Sequence, residues 1–133
     1  MILPSMILPT FSSRIGNDLI ARRPNSSEVL GISVKSRSRK AGTENSHLAL
    51  PHDGFVKARA ACDAFRCIPY FALVIDAGDK IHVFLLSLRH LKKLFPGGRK
   101  VSAWQMSEPF LRKYYADPQI KTFEFSAHAQ KWF

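Results

Sequence analysis

Apolar and polar residues alternate through the first third of the chain in the manner of β-strands. Residues 6–11 can form a short strand, which Pro9 confines to a sheet edge or to the end of the strand. Residues 18–22 begin a second strand, and the turn-forming cluster Pro-Asn-Ser-Ser at 24–27 separates it from an alternating stretch at 29–37. The pattern predicts that the last two segments pair as an antiparallel hairpin.

The pattern changes to a helical period in the middle of the chain. Residues 54–66 carry apolar side chains at steps of three and four, and Pro69 ends this helix. The side chains on the predicted apolar side are Phe55, Ala58, Ala61, Cys62 and Phe65. Residues 70–76 are nearly all apolar, which predicts an interior strand beside the hairpin, covered on both faces. After a turn, residues 81–88 return as its neighbour.

The remaining segments complete an α/β (α+β) pattern. Residues 38–52 read as a long polar loop, and residues 88–95 and 107–115 as short helices. Residues 120–125 alternate well enough to form a last strand. The predicted order is β-ββ-α-ββ-α-α-β, a mixed sheet flanked by helices.

The net charge of the chain indicates what kind of molecule the protein binds. Twenty Lys and Arg residues stand against ten Asp and Glu residues, and the net charge is +10. Such a balance in 133 residues favours nucleic acid as the partner, although it can also serve solubility alone. No apolar run is long enough to span a membrane, and Cys62 and Cys67 have no partners at metal-ligand spacing. We therefore expect a cytoplasmic protein with reduced thiols and no membrane partner.

The second strand of the hairpin brings basic residues onto one side. Side chains alternate between the two faces of a strand, so Ser33, Lys35, Arg37 and Arg39 share a side. A row of cations opposite an apolar face predicts an anionic partner.

The hairpin also resembles the signature of the PD-(D/E)XK nuclease superfamily, which includes archaeal Holliday-junction resolvases and many restriction enzymes. That signature is an Asp, a gap, and then Glu or Gln, any residue and Lys. Asp18 matches the first acid, Ser33 stands at the Glu/Gln position, and Lys35 matches the lysine. The resemblance covers roughly residues 6–88 and includes the strand–helix–strand order.

The resemblance implies a fold, an activity and a set of site residues. It implies one restriction-endonuclease-like domain over residues 1–133, with its core at about 6–88 and a helical and strand extension at about 89–133. The activity would be Mg²⁺-dependent hydrolysis of DNA rather than RNA, with Mn²⁺ as a substitute ion, by a homodimer that cuts two strands. Asp18 would be the metal ligand, and Lys35 would orient the water and stabilise developing charge. The candidate catalytic residues are Asp18, Ser33 and Lys35, and the candidate nucleic-acid contacts are Arg37, Arg39, Lys40 and Lys57.

Two features depart from the superfamily pattern. Ser33 is neutral, so an anionic metal ligand is lost; Glu28 falls on the opposite face of the strand, and only a swing of the long loop would bring Glu44 near. These nucleases usually open with a helix, whereas the residues before Asp18 read as a strand. Either the true start lies upstream or the chain lacks that helix.

Three readings of function therefore stay open. The chain is an endonuclease, a catalytically inactive relative that binds nucleic acid or serves as a partner subunit, or a basic structural or interaction protein. Asp18 could instead be a turn residue that accepts hydrogen bonds from backbone amides, and Lys35 a strand lysine that reaches water. His47, His52 and Asp53 lie close in sequence, but their spacing matches no strong metal-binding pattern.

Overall fold

The computed structural model describes residues 7–9, 18–38, 47–97 and 100–126. Eight strands and three helices fall within these ranges. They are, in chain order, β1 (Ile7–Pro9), β2 (Leu19–Arg22), β3 (Val29–Ser38), β4 (Leu48–Pro51), α1 (His52–Phe65), β5 (Ile68–Asp76), β6 (Lys80–Ser87), α2 (Leu88–Leu94), β7 (Val101–Trp104), α3 (Glu108–Ala116) and β8 (Lys121–Ser126).

Six of the strands form a mixed sheet in the order β1-β2-β3-β5-β6-β8. Strands β2 and β3 are an antiparallel hairpin in which Leu19 pairs with Ile32, as the turn cluster predicted. Strand β5 is interior, since it lies parallel to β3 on one side and antiparallel to β6 on the other. The predicted α+β class, a mixed sheet with helices, is confirmed.

Helix α1 connects the two parallel strands, because a parallel pair needs a crossover. Its buried side chains are Phe55, Ala58, Ala61 and Cys62, four of the five predicted from the helical period. The fifth, Phe65, is exposed, because the helix ends there. Arg66 follows in the left-handed region with φ of 54°, and the amide of Cys67 donates to the Cys62 carbonyl.

Strands β4 and β7 form a separate two-stranded antiparallel sheet in which Leu48 pairs with Trp104. The predicted loop over residues 38–52 is therefore wrong at its end, where β4 and His52, the first residue of α1, lie, and wrong at Ser38, the last residue of β3. The sequence prediction also missed β7. Each strand has only four residues, and each forms against a partner from a distant part of the chain. Residues 39–46 lie outside the described ranges.

The six-stranded sheet has two unequal faces. On the first face Phe71, Leu73, Ile75, Phe84 and Leu86 are fully buried in the main core, together with Trp104 and side chains from all three helices. The second face carries a smaller cluster.

That second-face cluster consists of Ala21, Leu30 and Ile32, with Tyr70, Ala72 and Leu85 partly buried around it. The prediction that β5 is covered on both faces thus holds fully for one face and partly for the other. None of the helices in the described ranges is both long enough and apolar enough to cross a membrane.

Candidate functional site

Asp18 lies immediately before β2 and reaches across to β3. Its backbone amide donates to the Ile32 carbonyl at 2.9 Å, and its carboxylate Oδ2 accepts a hydrogen bond from the Val34 amide at 2.7 Å. The side chain is exposed. The carboxylate therefore lies against the backbone of β3 between the two candidate residues Ser33 and Lys35.

Ser33, Lys35 and Arg37 share the first face of the sheet, because they pair in register with Phe71, Leu73 and Ile75 of β5. Ser33 is 2 % exposed and Lys35 is half-buried, whereas Ser36 and Arg37 are exposed. The alternation suggested that this row of cations forms an open surface opposite an apolar face. The burial of Ser33 and Lys35 shows that the start of the row is not open. The crossover helix α1 returns over this face and encloses the start of the row.

The side chain of Lys35 ends at the first turn of α1. A methyl group added at Gly54 would lie 3.8 Å from Lys35 Nζ, so the amine passes directly over this glycine. Pro51 at the N-cap makes no side-chain hydrogen bond to the first turn. A helix N-terminus carries partial positive charge and unsatisfied amides. The amine and the helix end therefore bring positive charge to one place, beside the exposed Asp53 carboxylate of the same turn.

The other candidate cations have partners within the protein. Arg37 donates to the His47 carbonyl at 2.6 Å, which ties the exposed part of β3 to the segment before β4. Lys57 lies one turn after Gly54 on the same side of α1, and its ammonium is 3.9 Å from the Asp53 carboxylate. Both members of that ion pair are mostly exposed, so it neutralises Lys57 only weakly. Arg39 and Lys40 lie outside the described residues.

The described acids do not provide the ligand set of a magnesium nuclease. Glu28 pairs with Arg23 at 2.9 Å, and Glu44 is not among the described residues. Within the described ranges, no group of three His, Cys, Asp or Glu side chains could hold a metal ion. Asp18 contributes one carboxylate beside β3, and one of its oxygens already accepts a hydrogen bond from an amide. Magnesium takes six oxygens in near-ideal octahedral geometry, so these residues do not fit a tightly held ion.

Sequence reasoning missed Gly54, since a single glycine at the start of a helix carries no signal of proximity to a strand lysine. It also missed the role of His52. The Nε2 of His52 lies 2.5 Å from the Ser102 hydroxyl, and its ring stacks on Phe55 with centroids 4.7 Å apart. These contacts join the start of α1 to β7 and hold the first turn of the helix in place beneath Lys35.

Comparisons with known proteins identify the fold. No model of a known protein family matches the chain, and no curated protein matches it. Among solved structures, the chain is similar to Hjc, a Holliday junction resolvase from the archaeal hyperthermophile Archaeoglobus fulgidus. The match has a TM-score of 0.53 at 16% sequence identity and covers 82% of this chain and 81% of Hjc. At this identity the likeness is one of fold: the chain has the nuclease-like architecture that Hjc shares.

Proposed function

We propose that this chain is a DNA-binding protein built on a nuclease-like fold, in which a backbone phosphate binds between Lys35 and the first turn of α1. The observation that carries the proposal is the approach of the Lys35 amine to Gly54 at an N-terminus without a side-chain cap. Two sources of positive charge converge there, and phosphate oxygens satisfy both. The likeness to a resolvase and the net charge of +10 support the same partner.

The other cations extend this position into a track for a DNA backbone. Lys57 and Arg37 flank Lys35 on α1 and on β3, and Arg39 and Lys40 follow Ser38 in the sequence. If four to five of these side chains contact phosphates, the log–log slope of affinity against salt is about −4, at roughly −0.9 per phosphate. A purely structural basic protein would show no such slope.

Fluorescence anisotropy on a labelled duplex and on a four-way junction, over a range of salt concentrations, tests the proposal. Lys35→Gln should weaken binding to every sequence and flatten the slope by about one unit. The double variant Arg37→Gln with Arg39→Gln should flatten it by about two. The matched control is Lys113→Gln, which removes an exposed charge from α3 instead. A wild-type slope near zero, or equal effects of Lys35→Gln and Lys113→Gln, contradicts the proposal.

A second candidate function, slow endonuclease activity, is favoured by the Asp18 carboxylate, which accepts a hydrogen bond from the amide of Val34, the residue before Lys35. In this candidate, Asp18 is the residue that would hold Mg²⁺ or Mn²⁺, and the Lys35 amine stabilises charge on the phosphate. The single carboxylate makes the expected cleavage weak. A homodimer would supply one such site for each strand, and light scattering of the purified protein measures that state.

Cleavage of a supercoiled plasmid at millimolar Mg²⁺ and Mn²⁺ separates the two candidates. Wild-type protein should cut slowly or not at all, and Asp18→Asn should remove any cutting while duplex binding remains. Ser33→Glu returns a carboxylate to the correct face and should raise the rate. Because Ser33 is 2 % exposed, a thermal melt must show that this variant folds. A folded Ser33→Glu protein that does not cut favours the inactive relative, and brisk cutting that survives Asp18→Asn locates the chemistry elsewhere.

A further inference from the structure

The second face of the sheet contains a groove remote from the candidate phosphate position. Its volume is about 370 Å³, within the range of small-ligand sites. Its floor is apolar and includes Leu30, Tyr70 and Leu85, which belong to the second-face cluster. Lys35 projects from the opposite side of the same strand as Leu30, since the two are an odd number of residues apart. The groove and the Lys35 position are therefore separate surfaces.

The groove extends across most of the width of the sheet. It is lined by residues of β2, β3, β5, β6 and β8, five consecutive strands. Arg22 and Arg23 line it at the β2 end, and Lys121, which pairs with Leu85, lines it at the β8 end. Asp and Glu are absent from the described residues that line it. An anionic group is thus favoured at each end, with an apolar surface between.

Tyr70 gives that apolar surface a fixed aromatic ring. Its hydroxyl accepts a hydrogen bond from Arg23 Nη2 at 2.7 Å, and the guanidinium carbon of Arg23 lies 5.9 Å from the ring centroid. Arg23 is in turn held by Glu28, whose carboxylate is 2.9 Å from Arg23 Nε. A ring whose position is fixed by two partners stacks on a flat ligand with little loss of side-chain entropy.

We propose that the groove binds a short single strand of DNA, with one unpaired base stacked on Tyr70 and backbone phosphates on either side of that base at the Arg22–Arg23 end and at Lys121. An apolar floor with a partly buried aromatic ring favours a planar base. Neighbouring strands lie roughly 4.8 Å apart, so a groove lined by five strands is longer than one nucleotide. Cations at both ends match a strand that carries phosphates on each side of the stacked base. A free mononucleotide presents one phosphate group and leaves one end unmatched.

This inference rests on the proposed DNA binding for its biological setting but uses different residues on the other face. The proposed phosphate position and the proposed groove can therefore be disproved independently of each other. Loss of duplex binding in Lys35→Gln concerns the first face, and loss of single-strand binding in Tyr70 or Lys121 variants concerns the groove. In a branched or end-frayed DNA, the first face would bind the paired part and the groove the unpaired part.

The test uses the full chain and a single-stranded oligonucleotide with one central 2-aminopurine, whose fluorescence falls when the base stacks. Wild-type protein should quench the probe and bind it more tightly than adenosine monophosphate. Tyr70→Ala should weaken binding about tenfold and abolish the quenching. Tyr70→Phe, which keeps the ring, should retain most of the quenching and keeps the test informative if the alanine variant does not fold.

Charge variants test the two ends of the groove. Lys121→Gln should weaken single-strand binding and reduce its salt slope by about 0.7, while duplex affinity is unchanged. The matched control, Lys93→Gln in the last turn of α2, should leave single-strand binding as it is. The proposal is overturned if the probe is not quenched, if Tyr70→Ala or Lys121→Gln behaves as Lys93→Gln does, or if adenosine monophosphate binds as tightly as the strand.

Discussion

The two faces of the six-stranded sheet bury their apolar side chains to different extents. On the first face, Phe71, Leu73 and Phe84 are at most 1 % exposed, and three helices and the β4–β7 sheet supply their neighbours. On the second face the large apolar residues Leu30 and Ile32 keep 8 % and 7 % exposure, and Tyr70 is only partly buried. Burial on the first face therefore contributes most to the stability of the fold, whereas the second face keeps an open groove.

The largest expected effect comes from removing a ring of the first face. Phe84 lies 5.4 Å from both Trp104 and Tyr114, measured between ring centroids, so Phe84→Ala leaves a cavity among rigid neighbours. We expect a loss of about 3–5 kcal/mol in the free energy of unfolding, measured in urea. Leu30→Ala on the second face should cost about 2 kcal/mol, the low end of such substitutions. Equal losses would show that the second face is as tightly packed as the first.

A smaller loss of stability is expected when the contact that joins α2 to the end of α3, above the first face, is removed. The Nε2 of His90 lies 2.6 Å from Asp117 Oδ2. Burial alone raises the pKa of Asp117, but the hydrogen bonds from His90 and from the Gln119 amide outweigh it, and the pKa is lowered overall. A carboxyl whose pKa falls on folding stabilises the protein above its unfolded pKa of about 4. That contribution is lost as the pH falls through the lower folded value.

Asp117→Asn should therefore cost about 1–2 kcal/mol at pH 7, where the wild-type carboxylate is charged. Thermal melts between pH 7 and pH 2 should show the difference from wild type shrinking below about pH 4. The control is Asp79→Asn in the exposed turn before β6, which should change little at any pH. A pH-independent difference would mean that Asp117 acts through packing and not through charge.

The smallest expected effect is on the chemical reactivity of the thiols at the end of α1. Burial, followed by the contact with Cys62, raises the pKa of Cys67 to about 12. The two sulfur atoms are 2.7 Å apart. Since only the thiolate reacts, iodoacetamide should modify Cys67 slowly at pH 8, with a rate that rises about tenfold for each pH unit.

Replacing the neighbouring sulfur tests this cause. Cys62→Ala should increase the alkylation rate of Cys67 at pH 8, because it removes the contact that favours the thiol. Mass spectrometry of the peptides gives the rate for each cysteine. Rapid modification of Cys67 in the wild-type protein would contradict the raised pKa and would mean that the end of α1 opens readily.

Local signals in the sequence predicted most of the six-stranded sheet. The turn cluster at 24–27 fixed the hairpin, and the apolar run from Tyr70 to Ile75 identified the interior strand. The sequence prediction missed β4 and β7 because they pair over a long sequence separation, with Leu48 opposite Trp104. Neither four-residue segment shows alternation of its own. Their stability comes from burial of Leu50 and Trp104 in the main core, which is a tertiary effect.

The candidate site was predictable in its register but not in its surroundings. Alternation correctly grouped Ser33, Lys35 and Arg37 on one face. It could not reveal that α1 covers that face or that Gly54 lies beneath the Lys35 amine. The groove on the second face had no local signal at all, because it depends on Arg23 meeting Tyr70 from a distant strand.

The small β4–β7 sheet also bears on the order in which the protein assembles. Its two strands are the ends of a long segment that contains α1, β5, β6 and α2, so pairing them closes a large loop. Closing such a loop costs chain entropy before any contact repays it. The hairpin and the β5–β6 pair should therefore form first, and Trp104 should enter the core in a late step. In a variant with Trp132→Phe, stopped-flow fluorescence of Trp104 would then lag behind the gain of strand signal in far-ultraviolet circular dichroism.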